Sequence, residues 1–115
     1  MKRFITITQT DGRQKQLSDE NLPITIGCGS DADIIIPESD PAGAYIGDSQ
    51  GHLFIQPSGT NRLPLFLNNR HLSESRWLKS KDKIQHGNTL ISYLKKGDKL
   101  FFTVSEQGPD QQQEL

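Results

Sequence analysis

Ile24-Thr25-Ile26-Gly27-Cys28-Gly29-Ser30-Asp31-Ala32-Asp33-Ile34-Ile35-Ile36-Pro37 reads as strand, glycine turn, strand. Ile24 and Ile26 alternate with Thr25, the period of two expected of a half-buried strand. Gly27 and Gly29 then interrupt the pairing, because glycine takes backbone angles that other residues avoid. Ile34-Ile35-Ile36 is a second β-branched run, closed by Pro37, which cannot donate a ladder hydrogen bond.

A second block lies downstream: Phe66-Leu67-Asn68-Asn69-Arg70-His71-Leu72, then Leu78-Lys79-Ser80-Lys81-Asp82-Lys83-Ile84-Gln85-His86-Gly87. The order Ile-Gly, five residues, Asp-Ile-x-Ile in the first block resembles the opening of a forkhead-associated (FHA) domain. The second block is similar to the FHA runs Phe-Val-Asn-Gly and Leu-x-x-Gly-Asp-x-Ile-x-x-Gly. Together the two cover roughly residues 4 to 105. The resemblance implies an all-β sandwich of about ten or eleven short strands, in a family that usually binds phosphothreonine peptides.

The chain of 115 residues is long enough for one domain with one core. With 32% hydrophobic residues it suits short strands and loops better than a helical bundle. No apolar run approaches the roughly 20 residues that span a bilayer, and Phe4-Ile5-Thr6-Ile7-Thr8 is too short and polar for a signal peptide. The expectation is a cytoplasmic chain without direct membrane insertion, with room for a membrane segment beyond Leu115 in a larger protein. One cysteine, Cys28, excludes an internal disulfide. A net charge of -1 gives no electrostatic case for nucleic acid. The local basic stretch of Arg70, Arg76, Lys79, Lys81 and Lys83 reads as solvated loops and strand edges.

Along the chain, residues 2 to 8 read as a first strand with Ile5 and Ile7 inward, and Asp11-Gly12 as a turn. Residues 13 to 22 are polar and read as a loop into the next strand, anchored by Leu17 and Leu22. Gly47-Asp48-Ser49-Gln50-Gly51 reads as a hairpin turn before a strand over His52 to Gln56. Leu63 to Leu67, broken by Pro64, reads as an edge strand. Asn68-Asn69 tolerates left-handed angles and suits a tight turn. Lys81 stands where the family has glycine, a position that strains lysine if its φ is positive. Leu78–Ile84 and Leu94–Leu100 share a Lys-and-Asp turn vocabulary rather than a true repeat. Thr89 to Leu94 and Lys99 to Val104 read as the last strands. The domain is expected over 1–106, with 107–115 a disordered tail or linker. The expected core is Ile5, Ile7, Ile24, Ile26, Ile34, Ile36, Leu53, Ile55, Phe66, Leu78, Ile84, Leu90, Phe102 and Val104.

The residues that would hold a phosphate in the family are mostly replaced. The family arginine after Ile-Gly is Cys28, a weak donor at best. In the Ser-Arg-x-His run, Asp40 falls at the serine, Pro41 at the arginine and Gly43 at the histidine. An aspartate there repels a phosphate dianion. Thr60-Asn61 partly matches the Gly-Ser-x-Asn-Gly-Thr loop, in one of two registers that the spacing allows, but Arg62 follows. The expected partner face is therefore a cluster of loop ends carrying Cys28, Ser30, Asp31, Asp40, Thr60, Asn61 and Arg62, with Arg70 nearby.

Other chemistries find little support. Cys28 in a glycine turn is accessible as a thiol, but no base adjoins it in sequence; a small turn residue is the plainer reading. His52, His71 and His86 lack metal-ligand spacing. No Gly-x-Ser-x-Gly is present, and Gly27-Cys28-Gly29 lacks the third glycine of a dinucleotide site. Trp77 and Tyr45 read as core or rim aromatics. No catalytic residue, metal or cofactor is expected. The favoured function is a non-catalytic protein–protein interaction module, with a protein rather than a phosphopeptide as partner. Degenerate FHA-like domains of this kind form cytoplasmic parts of bacterial secretion-machine ring proteins, notably type III systems, and this chain resembles them. Two alternatives are a phosphothreonine reader with a rebuilt site, and a structural oligomer subunit that pairs through strand edges near Pro64 or Leu100.

Overall fold

A computed structural model describes residues 2–40, 43–58 and 63–106. Twelve strands form among them: β1 Phe4–Thr8, β2 Gln14–Ser18, β3 Ile24–Gly27, β4 Ile34–Ile35, β5 Ala44–Ser49, β6 His52–Pro57, β7 Leu65–Leu67, β8 Arg70–Leu72, β9 Arg76–Trp77, β10 Lys83–His86, β11 Thr89–Lys96 and β12 Lys99–Glu106. A seven-stranded sheet runs β2-β1-β12-β11-β10-β7-β8, and a five-stranded sheet runs β4-β3-β5-β6-β9. Two neighbouring pairs, β1 with β12 and β3 with β4, are parallel; the others are antiparallel. The architecture is an all-β sandwich.

Alternation builds the core. Ile5 and Ile7, Ile24 and Ile26, Leu53 and Ile55, Ile84, Ile91, Phe102 and Val104 all point inward and are buried. They meet in one cluster fed by both sheets. Expectation and structure differ at two core positions. Leu90 is only partly buried, and Ile91 and Tyr93 face inward instead. Leu90, Ile91, Tyr93 and Leu94 fit either phase of a strand. Pairing of Ile91 with Ile84, and stacking of Tyr93 on Phe102 at 4.9 Å, fixes which phase is used. Phe66 is likewise partly exposed against the His71 ring, and Leu65 takes the core position.

Other readings change as well. The polar run after Arg13 is a strand, not a loop: β2 pairs along the whole of β1, and Asp19–Asn21 forms a 3-10 turn after it. β2 carries no apolar alternation because it is an exposed edge, where charge and amides discourage further pairing. Gly47 to Ser49 belong to β5, so the hairpin turn shrinks to Gln50-Gly51. Pro64 precedes β7, and β7 lies between β10 and β8, so it is not an edge. Leu100 is not at an edge either, since β12 is flanked by β1 and β11. The actual edges are β2, β8, β4 and β9. Trp77 and Tyr45 lie outside the core: Trp77 is 56% exposed on the outer face of the five-stranded sheet, edge-on to Phe54.

The Asn68-Asn69 turn takes φ of 52° and 70°, both left-handed as expected. Asn68 ties the second sequence block together. Its side-chain Nδ2 donates to Asp82 Oδ1 at 2.9 Å, and its side-chain Oδ1 accepts from Lys83 N–H at 2.9 Å. Those motif residues therefore serve the fold.

Candidate functional site

The loops β3–β4, β4–β5 and the start of β6–β7 meet at one end of the sandwich. Gly27 C=O accepts from Ile36 N–H at 2.8 Å, and Gly29 C=O from Ala32 N–H at 3.1 Å, which folds the first loop back on itself. A Cβ on Gly29 would lie 2.7 Å from Asp31 Oδ1, so any other residue here would push the exposed Asp31 carboxylate aside. Backbone bonds then chain the loops. Cys28 N–H donates to Asp40 C=O at 3.2 Å, Gly43 N–H to Ile26 C=O at 2.9 Å, and Ser58 N–H to Gly43 C=O at 2.9 Å.

Of the expected site residues, Cys28 and Asp40 are thus joined directly. Ser30 and Asp31 are exposed on the same loop as Cys28. Thr60, Asn61 and Arg62 lie outside the described residues. Arg70 is exposed on β8 beside the Asn68-Asn69 turn, opposite Leu67, two pairs along from the Leu65–His86 pairing.

A buried polar cluster supports this end, and the sequence reading did not find it. His86 is 0% exposed and Ser39 1%. His86 Nε2 lies 2.8 Å from Ser39 Oγ, and His86 Nδ1 lies 3.4 Å from Pro64 C=O. A carbonyl only accepts, so the Pro64 contact is a hydrogen bond in the tautomer with the proton on Nδ1, in which Nε2 accepts from the Ser39 hydroxyl; with the proton on Nε2, that atom donates to Ser39 Oγ instead. Asp40 C=O, 3.1 Å from the same hydroxyl, competes for its one proton. Burial pushes the His86 pKa below its ordinary value, against the upward pull of the Pro64 carbonyl, Glu38 and Asp40. Glu38 accepts from Thr89 Oγ1 at 2.9 Å, which fastens β4–β5 to β11. The signal available for His86 was its phase: it sits two residues after inward-facing Ile84. Ser39, in a loop, gave none.

Among the described residues of the three loops, Asp31, Asp33, Glu38 and Asp40 are acidic and none is Lys or Arg. No group of three His, Cys, Asp or Glu among the described residues is placed to hold a metal ion. No helix among them is long and apolar enough to cross a membrane.

Comparison with solved structures places this architecture. The chain superposes on Mycobacterium tuberculosis EmbR, in a complex with a low-affinity phosphopeptide, with a TM-score of 0.59 and 17% identity. The fold is that of a forkhead-associated domain. The FHA-2 domain of the M. tuberculosis ABC transporter Rv1747 gives a TM-score of 0.54 at 23% identity, over 70% of this chain and 72% of that one. The N-terminal FHA domain of EssC, a component of the bacterial Type VII secretion apparatus, gives 0.56 at 14%, over 91% and 63%. The EmbR match covers 93% of this chain but 25% of EmbR, so the FHA-like chain spans only a quarter of that protein. At these identities the likeness is one of fold. No protein-family model matches the chain, and no curated protein matches it significantly.

Proposed function

We propose that this FHA-like domain is a non-catalytic protein–protein interaction module that has given up the family's phosphothreonine site. One observation carries the reading. Cys28 and Asp40, which occupy the positions of the family's phosphate-holding arginine and serine, are bound to each other through the backbone in an acidic loop cluster. A phosphothreonine brings about -1.5 to -2 charges and needs converging cations and donors. Among the described residues of these loops there is no Lys or Arg to supply such a cation. The proposed partner residues are Cys28, Ser30, Asp31 and Asp40 of the loop end, with Thr60, Asn61, Arg62 and Arg70. Loops on a rigid sandwich are where such folds recruit partners. The Ser39–His86 pair favours a non-catalytic role, since it is sealed from solvent and oriented by a backbone carbonyl rather than a carboxylate. The proposed domain is residues 1–106, with 107–115 a tail or linker. The likeness to the EssC domain supports a cytoplasmic place in a larger bacterial, secretion-related protein.

NMR titration with a degenerate phosphothreonine peptide library, beside the same library unphosphorylated, tests the proposal. The expected result is no phosphate-dependent shift of the Cys28, Ser30 and Asp31 amides. Shifts caused by phosphorylated peptides alone would establish a rebuilt site, and Arg62→Ala would then be the first substitution.

A further inference from the structure

The outer face of the seven-stranded sheet is one-sided in charge. Register and burial define its outward positions on β1, β12, β11 and β10. Each carries an apolar, hydroxyl, amide or lysine side chain, and none carries Asp or Glu. The chain has 14 acidic residues against 13 Lys and Arg, so their exclusion from this face is a sorting of charge and not a shortage of acids. Lys83, Lys96 and Lys99 project from it, all exposed, and Lys81 reaches it from the turn before β10. None of these four is in an ion pair among the described residues.

Two details point to a ligand. Lys96 and Lys99 stand directly opposite each other across β11 and β12. Like charges in that relation destabilise a sheet, so an anion on this face would relieve a repulsion built into it. Beside them the face is apolar. Phe4, opposite Lys99, is 49% exposed, and Leu94 opposite Phe101 forms the floor of a shallow groove bordered by Lys81, Lys83 and Lys96.

We propose that this face binds an acidic polypeptide segment laid across β10, β11 and β12. Its carboxylates meet Lys83, Lys96 and Lys99, and its apolar side chains rest on Leu94, Phe101 and Phe4. The lysine ammonium groups attract anions as point charges, and the apolar strip of Leu94, Phe101 and Phe4 beside them suits a polypeptide carrying both carboxylates and apolar side chains rather than a free phosphate. Half-buried Phe101 offers little stacking surface for bases, and Phe4 alone is a small wedge for a bilayer. The site is separate from the loop end, so its failure would leave the proposed function untouched, and the reverse.

The test is an NMR titration of residues 1–115 with a peptide of about twelve residues containing Glu, Ser and Leu. The comparison ligands are the same peptide with Gln for Glu, oligothymidine, and vesicles with about 30% phosphatidylserine. The Glu peptide is expected to shift the amides of Lys83, Leu94, Lys96 and Phe101, and the Gln peptide to leave them in place. Raising salt from about 50 to 300 mM should weaken binding by roughly tenfold. Combined Lys83→Glu, Lys96→Glu and Lys99→Glu should remove it with the dispersed spectrum retained, while Arg13→Glu leaves it intact. If the triple variant loses dispersion, Lys96→Gln with Lys99→Gln replaces it, and a loss of binding of about threefold or more is expected. Absent binding, equal binding of the Gln peptide, preference for oligothymidine or vesicles, or shifts confined to Cys28, Ser30 and Asp31 would each overturn the proposal.

Discussion

At the scale of single residues, His86 couples the candidate loop end to pH. Its imidazole is buried, neutral, and held between the Pro64 carbonyl and the Ser39 hydroxyl. Desolvation sets its native pKa below the ordinary 6.5. The unfolded chain therefore takes up a proton first as pH falls, and stability declines between 6.5 and the lower native value. Above 6.5 the contribution is complete. Urea unfolding midpoints between about pH 7.5 and about pH 5.5 should fall for the native protein. In His86→Gln that decline should flatten even if the variant is less stable throughout. An equal slope in both would exclude His86 as its source.

At the scale of elements, two turns show how one geometry is met by different residues. Gly97, between β11 and β12, has φ of 61°; Lys81, before β10, has φ of 79°. An aspartate follows each. After Lys81, Asp82 accepts from Lys79 N–H at 2.7 Å and returns its own N–H to the Lys79 carbonyl at 3.0 Å. Those bonds hold the turn although lysine resists a left-handed backbone by about 1 to 2 kcal/mol. Lys81→Gly should therefore stabilise the domain by about 0.5 to 1 kcal/mol, the gain in native strain being partly offset by a freer unfolded chain. Thermal or urea unfolding reads this directly. A loss of stability would mean that the lysine side chain contributes more than its backbone costs.

At the scale of the molecule, Arg3 joins the two sheets at the end remote from the loop cluster. It lies beside β1 in the seven-stranded sheet. Its Nε donates to Asp19 Oδ1 at 2.8 Å, Nη2 to Asp48 Oδ1 at 2.6 Å, and Nη1 to the Gly51 carbonyl at 3.1 Å. Asp48 and Gly51 belong to the β5–β6 hairpin of the five-stranded sheet. With its side chain 14% exposed, this is a planar fork filled on each prong rather than a surface ion pair. Burial raises the Asp48 pKa, but the Arg3 bonds outweigh it and hold the carboxyl below its ordinary range. Arg3→Ala should cost about 2 to 3 kcal/mol, and Arg3→Lys should recover little, since an ammonium cannot make the fork. Denaturant unfolding of the two variants checks both statements. Closure of the seven-stranded sheet also belongs to this scale, because β1 and β12, from opposite ends of the chain, pair in parallel along all of β1.

Much of this was legible in the chain alone. The alternation of Ile5 with Ile7 and of Ile24 with Ile26, the Asn68-Asn69 turn, and the block from Leu78 to Gly87 carried the fold, because period and turn chemistry are local properties. The presence of Cys28 and Asp40 in these loops, on which the proposed loss of the phosphate site rests, was legible too, as a matter of residue identity. Tertiary structure decided the rest. Gln14–Ser18 is a strand only because β1 offers it a partner. Leu90 and Ile91 competed for one inward position, and Ile84 and Phe102 settled the choice. Pro64 precedes a strand that another strand covers. Ser39 and His86, 47 residues apart, meet only when β4–β5 folds over β10. Local pattern states which residues want to be buried; which neighbour buries them, and which polar groups meet inside, is set by contacts distant in sequence.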